Sequence, residues 1–102
     1  MTLAVRWTKQ AADQLIASAQ YLEDARSGSG LAFIDAVEES LRQAAHAPYS
    51  NPRIPDEPET TRKALLSRFG YWVIYEVSKE AIVVLAVWHA IREPGSWRDG
   101  SP

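Results

Sequence analysis

Residues 62–89 read RKALLSRFGYWVIYEVSKEAIVVLAVWH. Three runs of strand character succeed one another here: Arg62 to Phe69, Tyr71 to Val77 and Ile82 to His89. Only Gly70, and the turn Ser78-Lys79-Glu80 followed by Ala81, separate them. The gaps are too short to hold crossover helices, so the runs are expected to form a three-stranded antiparallel meander. In the second run Tyr71, Val73, Tyr75 and Val77 share one face, and Trp72, Ile74 and Glu76 share the other. In the third, Ile82, Val84 and Ala86 alternate with Val83, Leu85 and Val87, so both faces are apolar. That pattern predicts a central strand with Leu85 as a candidate core residue.

Upstream the period changes. Leu3 to Trp7 alternates around Arg6 and reads as a short opening strand, with Thr8 as the N-cap of a helix. In that helix Ala12, Leu15, Ile16, Ala19 and Leu22 recur at helical spacing to about Ala25. SGSG (27–30) breaks it. A second helix carries Phe33, Ile34, Val37, Leu41, Ala44 and Ala45 on one face and Asp35, Glu38, Glu39 and Arg42 on the other. Two apolar stripes joined by a short link predict an antiparallel helical hairpin. Four prolines (48, 52, 55, 58) then mark a loop to Thr61. The expected fold is α+β, in the order β-α-α-β-β-β, with the hairpin packed on one face of a twisted sheet. Residues 1–102 are expected to form one domain, with no internal repeat.

Composition removes several classes of function. There is no cysteine, which excludes disulfides and thiolate chemistry, and two histidines do not supply a His-based zinc set. No metal or cofactor is expected. The longest apolar run, Ala81 to Trp88, is far below the roughly 20 residues that span a bilayer, and the opening MTLAVRW has no long apolar region. A cytoplasmic protein without a membrane partner is expected. SGSG comes after a helix and lacks the Lys-Ser/Thr of a phosphate loop. Net charge is −2, but residues 1–61 carry five basic and nine acidic side chains, and residues 62–102 carry six basic and four acidic. An anionic partner would therefore meet the second part of the chain.

The third strand ends in VWHAIREPGSW (87–97), which places His89 and Arg92 at its mouth and Trp97 just beyond. Histidine changes charge near neutral pH, and arginine grips phosphate or carboxylate in a fork. With Arg62, Lys63 and Arg68 on a nearby strand and Tyr71 or Tyr75 between, these residues would line a basic and aromatic groove on the open face of the sheet. Packing accounts for the same residues: tyrosines alternate along a strand as core, Arg92 can pair with Glu93, and Trp97 can cap the sheet.

The phrases WTKQAADQL, RKALLSRFGYWVIYEV and VVLAVWHAIREPGSW, in that order, resemble the RelE/ParE superfamily of toxins from type II toxin–antitoxin pairs. Trp7-Thr8, Ala11 to Leu15, Arg62, Arg68-Phe69, Tyr71, Ile74-Tyr75, Val87, His89, Arg92, Pro94 and Trp97 carry the resemblance across nearly the whole chain. It implies a growth-inhibiting toxin held in a hetero-oligomer with a small cognate antitoxin. Two activities fit such a fold. A RelE-like member is a ribosome-dependent ribonuclease acting on mRNA; His89 or Glu76 would then move protons, and Arg62, Lys63, Arg68 and Arg92 would clamp phosphate. A ParE-like member inhibits DNA gyrase by binding and is not an enzyme. A chain keeping the fold as an inactive binding module is a third reading. The acidic balance and the tail WRDGSP, which has no tyrosine or histidine, favour the ParE-like reading.

Overall fold

The computed structural model describes residues 2–91 and 96–98. The chain runs β1 (Ala4–Trp7), α1 (Lys9–Ala25), α2 (Ser29–His46), β2 (Thr61–Leu66), β3 (Tyr71–Val77) and β4 (Ala81–His89), then a single 3₁₀ turn at Ser96–Arg98. The sheet order is β1-β4-β3-β2. Strands β2, β3 and β4 form the expected antiparallel meander, and β1 joins β4 in parallel. Parallel neighbours need a long connection between them, and here it includes the helical hairpin. Helices α1 and α2 contact each other and cover one face, α1 against β4 and α2 against β2.

The hairpin begins where the sequence predicts. Thr8 Oγ1 accepts from the Ala11 amide at 3.0 Å and donates to the Val84 carbonyl at 3.1 Å, so one side chain caps α1 and ties it to β4. The break between helices is shorter than SGSG suggests, because α2 already includes Ser29 and Gly30. Arg26, Ser27 and Gly28 make the turn, and Gly28 takes φ 90°, a left-handed conformation that glycine adopts without steric cost. The missing N-cap side chain is replaced from α1: the Glu23 carboxylate accepts from the Gly28 and Gly30 amides at 3.0–3.1 Å. Gly30 has no room for a side chain, since a Cβ there would stand 2.7 Å from the Ala19 carbonyl oxygen.

These amide hydrogen bonds, that of Gly28 first, hold the Glu23 carboxyl below its ordinary range. A carboxylate depressed in the folded state contributes stability above its unfolded pKa of roughly 4.3, and that contribution is lost as pH falls through the folded value. Glu23→Gln is therefore expected to lower the urea midpoint at pH 7, with the gap to the parent chain closing as pH falls below about 4. A gap that stays constant well below that pH would show that the charge on Glu23 has no part in holding the turn.

The core under the hairpin joins Ala11, Phe33, Val37, Leu41 and Ala45 to Ala64, Val73, Tyr75, Ile82 and Val84. A second, smaller cluster lies on the opposite face: Ile74, Ala86, Trp88 and Trp97, with Ile54, Trp72 and Leu85 against it. Two details differ from the sequence expectation. Strand β2 stops at Leu66 because the chain turns, with the Gly70 amide bonded to the Leu66 carbonyl at 2.8 Å, and Phe69 packs its ring 5.3 Å from Phe33. In β4 the register slips: Ile74 faces Ala86 but Tyr75 faces Val84, leaving Leu85 as the extra residue of a bulge. Val84 and Val87 therefore both face the helices. Leu85 is half-buried at the edge of the second cluster rather than a core residue.

The bulge sits where β4 outruns its partner. Strand β1 pairs only with Ala81 to Val84. Beyond it, Gln14 Oε1 accepts from the Val87 amide at 2.9 Å, and Gln10 Nε2 donates to the Leu85 and Trp97 carbonyls at 3.4 and 3.1 Å. Gln10 and Gln14 lie four apart on one face of α1 and replace the missing strand partner.

Candidate functional site

The register divides the sequence-predicted groove between the two faces. Arg62 lies opposite Tyr75, and both side chains point to the hairpin side of the sheet, where the Pro-rich loop 47–60 closes over them. Arg62 is 9% exposed. Its Nε donates to the Glu59 carbonyl at 2.8 Å, one terminal nitrogen donates to the Asn51 and Tyr49 carbonyls at 3.0 and 3.2 Å, and its guanidinium stacks 4.8 Å from the Tyr49 ring centre. Tyr75 is fully buried; its hydroxyl donates to the Pro48 carbonyl at 2.7 Å and accepts from Asn51 Nδ2 at 3.0 Å. Burial pushes its pKa up, so it stays a neutral donor. Arg62 and Tyr75 thus fasten the loop, which also bridges β2 at Arg53 and accepts from the Lys63 amide through the Pro52 carbonyl at 3.1 Å.

Tyr71 and His89 come together at one end of the sheet, as cross-strand partners with ring centres 4.8 Å apart at 70°. Tyr71 also packs edge-on to Phe33 at 4.9 Å. His89 is half-exposed, and its Nδ1 accepts from the Ile91 amide at 3.2 Å, which leaves Nε2 to carry the proton in this arrangement. The turn carrying Arg68 borders this end of the sheet, with the guanidinium 5.1 Å from the Phe69 ring centre. Arg92 lies outside the described residues.

Lys63 and Trp97 belong to the other face. Lys63 Nζ stands 4.3 Å from the centre of the Trp72 ring, and Trp97 is buried in the second cluster. Arg98 stacks 4.6 Å from the Trp97 ring centre and donates bidentately to the Glu57 carboxylate, which links the 3₁₀ turn to the loop. Arg98 holds the Glu57 carboxyl below its ordinary range. A cleft of about 500 Å³ opens here between the loop and the sheet. A second of about 490 Å³ runs along β1 and the hairpin, lined by Leu3, Val5, Trp7, Leu15, Ile34 and Leu41.

The geometry bears on acid–base chemistry. Glu76 accepts from the Thr60 and Thr61 hydroxyls at 3.2 and 3.1 Å and faces away from the helices. It lies opposite Val83, whereas His89 lies opposite Tyr71. Along the unbulged β3, five residue steps separate Glu76 from Tyr71, roughly 17 Å at about 3.3 Å per residue. Glu76 and His89 cannot serve one phosphate, and Arg62 is already committed to three carbonyls. Among the described residues, no group of three or more His, Asp or Glu side chains comes together to hold a metal ion, and no helix is long and apolar enough to cross a membrane.

Sequence reasoning missed Asn51, Gln10, Gln14 and the pairing of Trp72 with Trp88. The last was within reach, since the strand spacing places those two tryptophans opposite each other. The glutamines gave no signal, because polar residues on an amphipathic helix read as solvated.

Residues 5–94 match the family described as the ParE toxin of the type II toxin-antitoxin system, parDE. None of the curated proteins matches the sequence. Among solved structures, the fold is similar to one titled "Chromosomal ParDE TA system from P. aeruginosa", at a TM-score of 0.73 and 19% identity, over 86% of this chain and 96% of that one. At that identity the likeness is one of fold.

Proposed function

The chain belongs to the ParE toxin family of type II toxin–antitoxin systems, and from that premise we propose that it arrests growth by binding DNA gyrase in the cytoplasm and is neutralised by a small cognate antitoxin. The family match over residues 5–94 carries this reading. Two features of the chain support gyrase over mRNA as the target. The residues that would have to act together on a phosphate stand apart: Glu76 is remote from His89, and Arg62 is engaged by the loop. A net charge of −2 also gives no general attraction to the dense phosphate of a ribosome.

For the antitoxin, the cleft along β1 and the hairpin offers a continuous apolar lining flanked by Glu38 and Arg42. An extended segment that folds on binding would cover apolar side chains of this kind. Neutralisation then consists of masking a surface, and the pair is expected to co-purify.

His89 separates the two activities. A general acid or base is worth a factor of about 10² to 10⁴, whereas most interface side chains cost less than about 1 kcal/mol when truncated. His89→Ala is expected to keep its inhibition of gyrase supercoiling to within about fivefold and to leave growth arrest in place. Cells should filament, and primer extension on translated messages should show no cuts. Codon-linked cleavage by the parent chain, lost in His89→Ala, would replace this reading with a ribonuclease.

A further inference from the structure

The open-face cleft has a chemistry of its own. Three of the chain's four tryptophans, Trp72, Trp88 and Trp97, line it together with Ile54, and the Lys63 ammonium sits on the Trp72 ring at 4.3 Å. The cleft is partly open to solvent and measures about 500 Å³. It falls within the range of roughly 300–1,000 Å³ typical of small-molecule sites. Water in such a cleft finds mostly indole and aliphatic wall, so a flat apolar guest displaces it with little loss of hydrogen bonding.

Charge selects the guest further. Of the ionised groups around the cleft, Glu57 is already paired with Arg98. Among the described residues, the two lining groups without an ion pair are Lys63 and Asp56. Asp56 is exposed on the loop, where water and salt screen it, whereas Lys63 is half-buried against an indole. The cation is the less screened of the two. The cleft is also built from three separate parts, the sheet, the loop and the 3₁₀ turn, and the Glu57–Arg98 pair holds the last two in place.

We propose that this cleft is a binding site for a small, flat aromatic anion, with the ring against Trp72 above a floor formed by Trp88 and Trp97, each 4% exposed, and the carboxylate or phosphate on Lys63. The site stands on the face opposite the hairpin and does not depend on which target the toxin takes.

The test uses full-length chain made by cell-free synthesis, ¹⁵N-labelled, and two probes with one ring: 2-naphthoate and 2-naphthylmethylammonium. Naphthoate is expected to move the indole N–H signals of Trp72, Trp88 and Trp97 and to leave Trp7, on the far side of the sheet, in place. The ammonium probe is expected to bind at least about tenfold more weakly, the scale of one charge-assisted contact. Lys63→Met should abolish that preference with the amide spectrum still dispersed, and Lys63→Arg should restore it. Equal binding of the two probes, shifts at Trp7 as large as at the other three, or no shift at millimolar naphthoate would each overturn the proposal. Should Lys63→Met fail to fold, the comparison of the two probes on the parent chain decides alone.

Discussion

Phe33→Ala is expected to destabilise the fold by about 3–5 kcal/mol, read from urea unfolding. Phe33 is fully buried in α2, with its ring edge-on to Phe69 at 5.3 Å and to Tyr71 at 4.9 Å. Removing it leaves a cavity between the hairpin and the sheet and dissolves two aromatic pairs, each worth about 0.5–1.5 kcal/mol beyond buried area. Against a total stability of roughly 5–15 kcal/mol for a domain of this size, the loss is a large fraction. The effect should also reach function. Tyr71 is held by Phe33 on one side and supports His89 on the other, so that end of the sheet should loosen first. Phe33→Leu, which keeps most of the volume, should recover more than half of the lost stability. A cost below about 1.5 kcal/mol for the alanine variant would mean that α2 does not lie over the β2–β3 turn.

Much of this architecture was legible because its periods are clean. Strand β3 spans the residues its pattern predicts and helix α1 ends at Ala25 as read, although Ile16 of its expected stripe is 67% exposed and Ala11 is buried instead; Thr8 caps where a threonine before an apolar stripe should. What could not be read are the places where one group's position depends on a distant partner. The start of α2 depends on Glu23 reaching across to Gly28 and Gly30, so SGSG reads as a linker although half of it is helix. The bulge at Leu85 is hidden because β4 is apolar on both faces, and a slip of one residue leaves the pattern unchanged. The candidate groove comes together only in part, at Tyr71 and His89, for a related reason. Alternation tells which residues share a face, not which face the helices cover. Arg62 and Tyr75 do stand side by side, but on the covered side. An arginine there reads as a surface cation until the carbonyls of Tyr49, Asn51 and Glu59 are seen to close around it.

That placement makes Arg62 the sharpest remaining test of what this end of the molecule does. Arg62→Met keeps the length and apolar stem of the side chain and removes the guanidinium. Three loop carbonyls then lose a charged donor. Hydrogen bonds to charged groups are worth about 1.5–3 kcal/mol each, but a surface loop can turn its freed carbonyls to water, so the net cost is expected to be about 2–4 kcal/mol. Arg62→Lys should recover little of it, because a single ammonium cannot reproduce a planar fork that serves carbonyls from two directions. Both variants should inhibit growth less, in step with their lost stability, and a lower expression temperature should restore part of the inhibition. Arg68→Ala, in an exposed turn, should leave stability within about 0.5 kcal/mol of the parent chain. A phosphate clamp predicts the opposite pattern: Arg62→Met would fold with unchanged stability and lose its toxicity, while lysine, still a cation, would keep much of it. Equal urea midpoints for the parent chain and Arg62→Met, with growth inhibition lost only in the variant, would return Arg62 to a direct role at the target.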